Sequence, residues 1–176
     1  MKEKVKRIAG YGLVVAALIA LDQAVKEWVC LNLRGQPPIV WIPEVFELTY
    51  LENKGAAFGI FNGWNWLFYL LTPLSLGLIG YILYRIPKEP RFRIPRWCCL
   101  LIMAGAVGNF LDRIFRGFVV DMFYFKLINF AVFNVADAYV VVGIFVLAPL
   151  IIFWKDLSLA MFTDGPKSQK QEEEHG

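Results

Sequence analysis

Asp22, Lys26, Asp112, Arg113, Asp121 and Asp137 stand within or at the edge of apolar runs. A charge in hydrocarbon costs roughly 2.5–3.5 kcal/mol on insertion scales, so each of these residues calls for a functional or structural reason. Asp121 is alone in the run Phe118-Val119-Val120-Asp121-Met122-Phe123, and Asp137 is equally isolated. Two isolated acids in apolar surroundings suggest a carboxylate pair. When two carboxyls share a site, like charge and desolvation keep one protonated while the other ionises. The ionised member can activate water, and the protonated one can protonate a scissile carbonyl or leaving group. That is the arrangement of an aspartyl protease.

Other hydrolytic chemistries lack their residues. A zinc protease would need histidine ligands, and no H-E-x-x-H motif occurs. The single histidine, His175, lies in a polar tail, which removes serine–histidine catalysis within the membrane. A serine–lysine dyad fails on depth, because Ser75 is in mid-segment and its nearest lysine, Lys88, is in a basic loop. No glycine-rich phosphate loop is present, which argues against nucleotide chemistry. No cofactor, metal or nucleic-acid partner is expected.

The remaining polar residues have structural readings beside functional ones. Asp22 and Lys26 are four apart on one helix face and can neutralise each other. Asp112 and Arg113 can form an interface pair at a helix end. Asn134 stands where its side-chain oxygen can cap a helix.

The elements that must position these residues follow from hydropathy. Of the 176 residues, 58% are hydrophobic, above the usual half for a soluble domain. The excess lies in four runs, about residues 8–29, 64–84, 97–115 and 134–154. Each can cross the hydrocarbon core as a helix, with its backbone hydrogen bonds paired internally. Basic residues cluster at Lys2, Lys4, Lys6 and Arg7, and again at Arg85, Lys88, Arg91, Arg93 and Arg96. The positive-inside rule puts both clusters in the cytoplasm. The expected fold is therefore an all-α integral membrane protein with four transmembrane helices and both termini cytoplasmic. The first run has no small-residue cleavage site after it and reads as an uncleaved anchor. Cys98 and Cys99 fall near the inner face and Cys30 near the outer, so no pair can bridge, and packing roles are expected.

This topology brings the costly residues to one depth. Asp22 and Lys26 lie in the outer half of the first helix. Asn109, Asp112 and Arg113 end the third, and Asn134 and Asp137 begin the fourth. A small membrane transporter or channel subunit is the competing reading, since membrane acids also mark proton relays and substrate pathways. Against it, the acids gather at one side and the inner halves of the helices are nearly free of charge. Between the first two helices, Val45 to Tyr50 alternates with period two, which predicts a strand in a small outer β segment, about residues 36–62. Asn53-Lys54-Gly55 then reads as a turn. The aromatic segment 116–133 is expected in the membrane interface or against the bundle. The membrane unit is expected to span 1–163, and 164–176 to be a disordered polar tail.

Five motifs then occur in order: Asp22-Gln23-x-x-Lys26, Asn53-x-Gly55-Ala56-Ala57-Phe58-Gly59, Gly108-Asn109-x-x-Asp112-Arg113, Val119-Val120-Asp121 and Phe133-Asn134-x-Ala136-Asp137. In order and on this topology they resemble the lipoprotein signal peptidases, or signal peptidase II, over nearly the whole chain. The resemblance implies a bacterial inner-membrane enzyme with Asp121 and Asp137 as its catalytic pair. It implies that Asn109, Arg113 and Asn134 hold substrate backbone or order the site. Asp22, Lys26, Asp112, Asn53, Gly55, Ala56 and Phe58 match motifs that are part structural and part substrate-facing. The implied substrates are prolipoproteins carrying a diacylglyceryl cysteine, cut just before that cysteine among membrane lipids. No motif position departs from the family pattern.

Overall fold

The computed structural model describes residues 2–55 and 65–162. Helix α1 (Lys2–Leu33) is followed by strands β1 (Ile39–Ile42) and β2 (Phe46–Asn53), then α2 (Asn65–Arg85) and α3 (Arg93–Arg116). Strand β3 (Val119–Phe125), α4 (Val135–Phe153) and α5 (Lys155–Phe162) complete the order. Four helical stretches are long and apolar enough to cross a membrane: Val5–Leu33, Trp66–Arg85, Pro90–Arg116 and Val135–Phe153. They match the four expected runs, with α1 longer at both ends.

Burial is inverted relative to a water-soluble domain. Asp22 and Lys26 are wholly buried, while Leu13, Leu74, Phe145 and Phe153 are 68–83% exposed. So much apolar surface on a folded chain requires an apolar solvent. α3 lies at the centre, against α1, α2 and α4. α1 presents one buried stripe, Asp22, Lys26, Val29 and Leu33, at helical spacing. Its apolar half packs on Leu48, Val120 and Met122 of the sheet. A second core forms at the opposite end of the bundle. There α5, which the sequence does not announce, buries Leu157 and Met161 beside Phe92, Cys98 and Cys99. The two cysteines are free and packed, as expected.

α3 and α4 approach closely because small residues line their seam. A Cβ on Gly105 would meet the Ala136 carbonyl oxygen, and one on Gly143 would lie 2.6 Å from Ile102 Cγ1. Overpacking a tight core costs about 1–3 kcal/mol. Gly105→Ala is therefore expected to lower the melting temperature in detergent. Gly77→Ala, with nothing within 4 Å of its Cβ, is expected to leave it unchanged. Equal melting for both variants would contradict this packing.

The sheet is antiparallel, in the order β1-β2-β3. The alternation from Val45 to Tyr50 is realised as β2. The aromatic segment 116–133 contributes β3, whose first four residues are buried against the bundle. Gly117, at φ 78°, caps α3 in the left-handed region and turns the chain into β3.

Candidate active site

Sheet register and a helix cap together assemble the site. Asp121 lies opposite Leu51, and Asn53 lies opposite Val119. Asn53 is thus a diagonal neighbour of Asp121 on one face, and its Nδ2 donates to Asp121 Oδ2 at 2.8 Å. The Asn53 Oδ1 accepts from the Gly55 N–H at 3.0 Å, so the expected turn orients the amide. Phe133 pairs with Phe123, both N–H to carbonyl directions being made. That bridge draws Asn134 beside β3.

Asn134 begins α4 with a reciprocal cap. Its Oδ1 accepts from the Asp137 N–H at 2.9 Å, while its own N–H donates to Asp137 Oδ2 at 3.1 Å. The Asn134 Nδ2 remains to donate to Asp121 Oδ1 at 2.6 Å and to Asn109 Oδ1 at 3.1 Å. Asn109 Nδ2 donates to Asp137 Oδ1 at 2.7 Å. The two aspartates are therefore linked through two asparagine amides. Asp121 is 1% exposed, whereas Asp137 is partly open.

Burial first, and the negative charge of Asp137 second, push the Asp121 carboxyl up from 3.8 to about 7, against the donations from Asn53 and Asn134. An acid whose pKa rises on folding contributes stability below its unfolded pKa and loses it as pH rises through the folded one. The melting temperature of the wild type is thus expected to fall, relative to Asp121→Asn, between about pH 4 and pH 7. Parallel melting curves across that window would contradict the shift.

Behind the pair is a closed charge cluster. Lys26 Nζ lies 2.9 Å from Asp22 Oδ2 and 2.9 Å from Asp112 Oδ2, and donates to Asn109 Oδ1 at 2.9 Å. Those three acceptors match the three donors of an ammonium. Asp22 Oδ1 accepts the Ala136 N–H at 2.9 Å, in the first turn of α4. Asp112 Oδ2 accepts the Val120 N–H at 3.3 Å, next to Asp121. The cluster thus ties α1, α3, α4 and β3 together and aims Asn109. Asp112 pairs with Lys26 and Arg116, not with Arg113. Arg113 instead lies over the Phe68 ring at 4.0 Å and donates to the Asn109 carbonyl at 3.3 Å.

Of the twelve candidate residues, ten lie in this network or beside it. Ala56 and Phe58 lie outside the described residues. Two members of the network, Gln23 and Arg116, were not among the candidates. Gln23 Nε2 donates to Asp22, Gly108 O and Asp112, and Arg116 Nε lies 3.4 Å from Asp112. Arg116 was legible from its i,i+4 spacing to Asp112. Gln23, although within a quoted motif, carries no charge to single it out.

Known proteins share this architecture. The family model described as signal peptidase (SPase) II matches residues 14–153. The lipoprotein signal peptidase of Streptococcus thermophilus (strain CNRZ 1066) is 44% identical over 147 residues, 82% of this chain and 92% of that protein. That of Streptococcus pyogenes serotype M1 is 39% identical over 152 residues, 86% and 95% of the two chains. A bacterial membrane enzyme solved by the in meso method at 2.3 Å superposes with a TM-score of 0.69 at 28% identity, covering 86% of this chain and 91% of that one. A second, solved at 1.9 Å, gives 0.70 at 26% identity, covering 84% and 95%. The family match runs through all four long helices and the sheet, and this chain belongs to the signal peptidase II family, proteases that process lipoproteins.

Proposed function

We propose that the chain is an aspartyl endopeptidase that cleaves diacylglyceryl-modified prolipoproteins just before the lipidated cysteine, with Asp121 and Asp137 as its acid pair. The observation that carries the reading is the contrast between two sets of acids. Asp22 and Asp112 are paired with the buried Lys26, and Asp112 also with Arg116. Among the described residues, Asp121 and Asp137 accept only from asparagine amides and one backbone N–H. Their ionisation is left available for chemistry.

With Asp121 raised to about 7 by burial and by its neighbour Asp137, the pair shares about one proton near neutral pH. The ionised carboxylate removes a proton from water as the water oxygen bonds to the scissile carbonyl carbon. The protonated carboxyl gives its proton to the departing amide nitrogen as the C–N bond breaks. Asn109 and Asn134 are positioning residues that hold the acids, and Arg113, at the edge of the site, meets substrate backbone.

The reading also includes orientation. The basic ends of α1, α2 and α3 face the cytoplasm, so the site lies near the outer face of the bacterial inner membrane. A diacylglyceryl cysteine is held by its acyl chains in the outer leaflet, at the depth of the pair. Substrate binding through lipid explains why so small an enzyme can be selective. The unit comprises the four helices and sheet within residues 1–163.

The test is cleavage of one precursor, with and without the diacylglyceryl group, by the purified full chain in detergent. The lipidated form is expected to yield a product whose first residue is the modified cysteine, by mass spectrometry. Equal cleavage of both forms, or a cut elsewhere, would overturn the assignment of substrate. Proton or solute flux without any cleavage would favour the transport reading.

A further inference from the structure

A second polar feature lies at the opposite end of the bundle, far in sequence and topology from the acid pair. α1 and α2 both lie against α3, and a cavity of about 670 Å³ opens between them. Arg7, Arg85, Lys88 and Arg96 line it, and among the described residues no acidic one does. Val15, Leu83, Leu100 and Met103 give it an apolar wall, and Tyr11 and Tyr84 also line it. Tyrosines of this kind favour the boundary between headgroups and hydrocarbon. A smaller crevice of about 370 Å³ lies beside it and shares Arg7, Tyr11, Arg96 and Leu100. Arg93 and Trp97 line that crevice alone. Arg7 and Arg96 therefore border two apolar crevices at once.

Of these cations, Arg85 donates to the Tyr81 hydroxyl at 3.2 Å. Among the described residues, Arg7, Lys88 and Arg96 have no carboxylate partner, while Glu89 and Asp156 are taken by Arg91. Arg96 is held in place by donating to the Pro87 and Glu89 carbonyls. A fixed guanidinium with no counter-charge, over an apolar crevice, fits an anion that carries hydrocarbon. A basic signal-peptide start would be repelled, and a neutral lipid would leave the cations unpaired.

We propose that this end of the bundle binds one anionic phospholipid, with its phosphate between Arg7 and Arg96 and its two acyl chains in the adjoining crevices. The bound lipid bridges α1, α2 and α3 at the end where the sheet does not tie them. This site does not depend on the assignment of the acid pair.

Native mass spectrometry of the full chain, titrated in neutral detergent with phosphatidylglycerol, phosphatidylcholine or inorganic phosphate, tests it. One phosphatidylglycerol is expected to be retained, and inorganic phosphate is not expected to displace it. Arg7→Gln/Lys88→Gln removes two cations and is expected to weaken retention about 30-fold. Gly12→Phe provides a variant with every charge in place. Gly12 lines the larger cavity and has nothing within 4 Å of its Cβ, so the ring is expected to fill the crevice and abolish retention without disturbing packing. Equal retention of the two lipids would overturn the proposal. So would displacement by inorganic phosphate at the lipid's concentration, or unchanged retention in the charge variant or in Gly12→Phe.

Discussion

Asp121→Asn and Asp137→Asn are each expected to lower kcat for a lipidated precursor by about 10^2- to 10^4-fold, the range for removing one member of an acid–base pair. KM is expected to change little, because neither acid is assigned to holding the acyl chains or the substrate backbone. Asparagine keeps the shape of aspartate, so both variants should insert and fold. The cost is local. Both Asp121 oxygens accept from amides, Asn53 on one side and Asn134 on the other. An amide at position 121 satisfies only one of these donors, and the donor left unpaired costs about 1–3 kcal/mol. Asn at position 137 likewise forgoes either the Asn109 donation or the Asn134 N–H. Melting temperature measured beside kcat separates an effect on chemistry from an effect on structure. Either variant retaining activity within a few-fold of wild type, while folded, would remove that residue from the catalytic pair.

The sequence revealed the fold's helices and most of the site's members, for different physical reasons. A membrane span must be apolar and about 20 residues long, so α1 to α4 are marked by composition alone. β2 alternates because one face is buried, and period two is visible. β3 is buried along Val119, Val120, Asp121 and Met122, so it reads as a continuous apolar run that periodicity cannot assign. α5 is only eight residues and is held by packing Leu157 and Met161, which no local signal announces. Within the site, intramembrane charge singled out Asp22, Lys26, Asp112, Asp121 and Asp137. It could not say who pairs with whom. Adjacency in sequence suggested Asp112 with Arg113, but consecutive helix residues point about 100° apart. Asp112 accordingly faces α1 and Lys26, while Arg113 turns toward α2 and Phe68.

Lys26→Met is expected to destabilise the protein by about 3–5 kcal/mol, the usual cost of breaking a buried ion pair from one side. Lys26, Asp22 and Asp112 are at most 1% exposed, so the variant would bury Asp22 without a cation and leave Asp112 only Arg116, at 3.4 Å. Both also accept backbone N–H groups, from Ala136 and Val120, so apolar replacements would leave those donors orphaned. Asp22→Asn/Lys26→Met/Asp112→Asn avoids both penalties. It removes all three charges, and each asparagine can still accept one N–H. This triple variant is expected to recover most of the melting temperature. It is not expected to recover kcat. Lys26 also donates to Asn109 Oδ1, and that hydrogen bond keeps the Asn109 Nδ2 turned toward Asp137. Without it the amide can rotate, and Asp137 loses a donor and its fixed position. A triple variant that melts like wild type but cleaves slowly would identify Lys26 as a positioning residue. Recovery of both stability and cleavage would reduce the cluster to structural neutralisation alone.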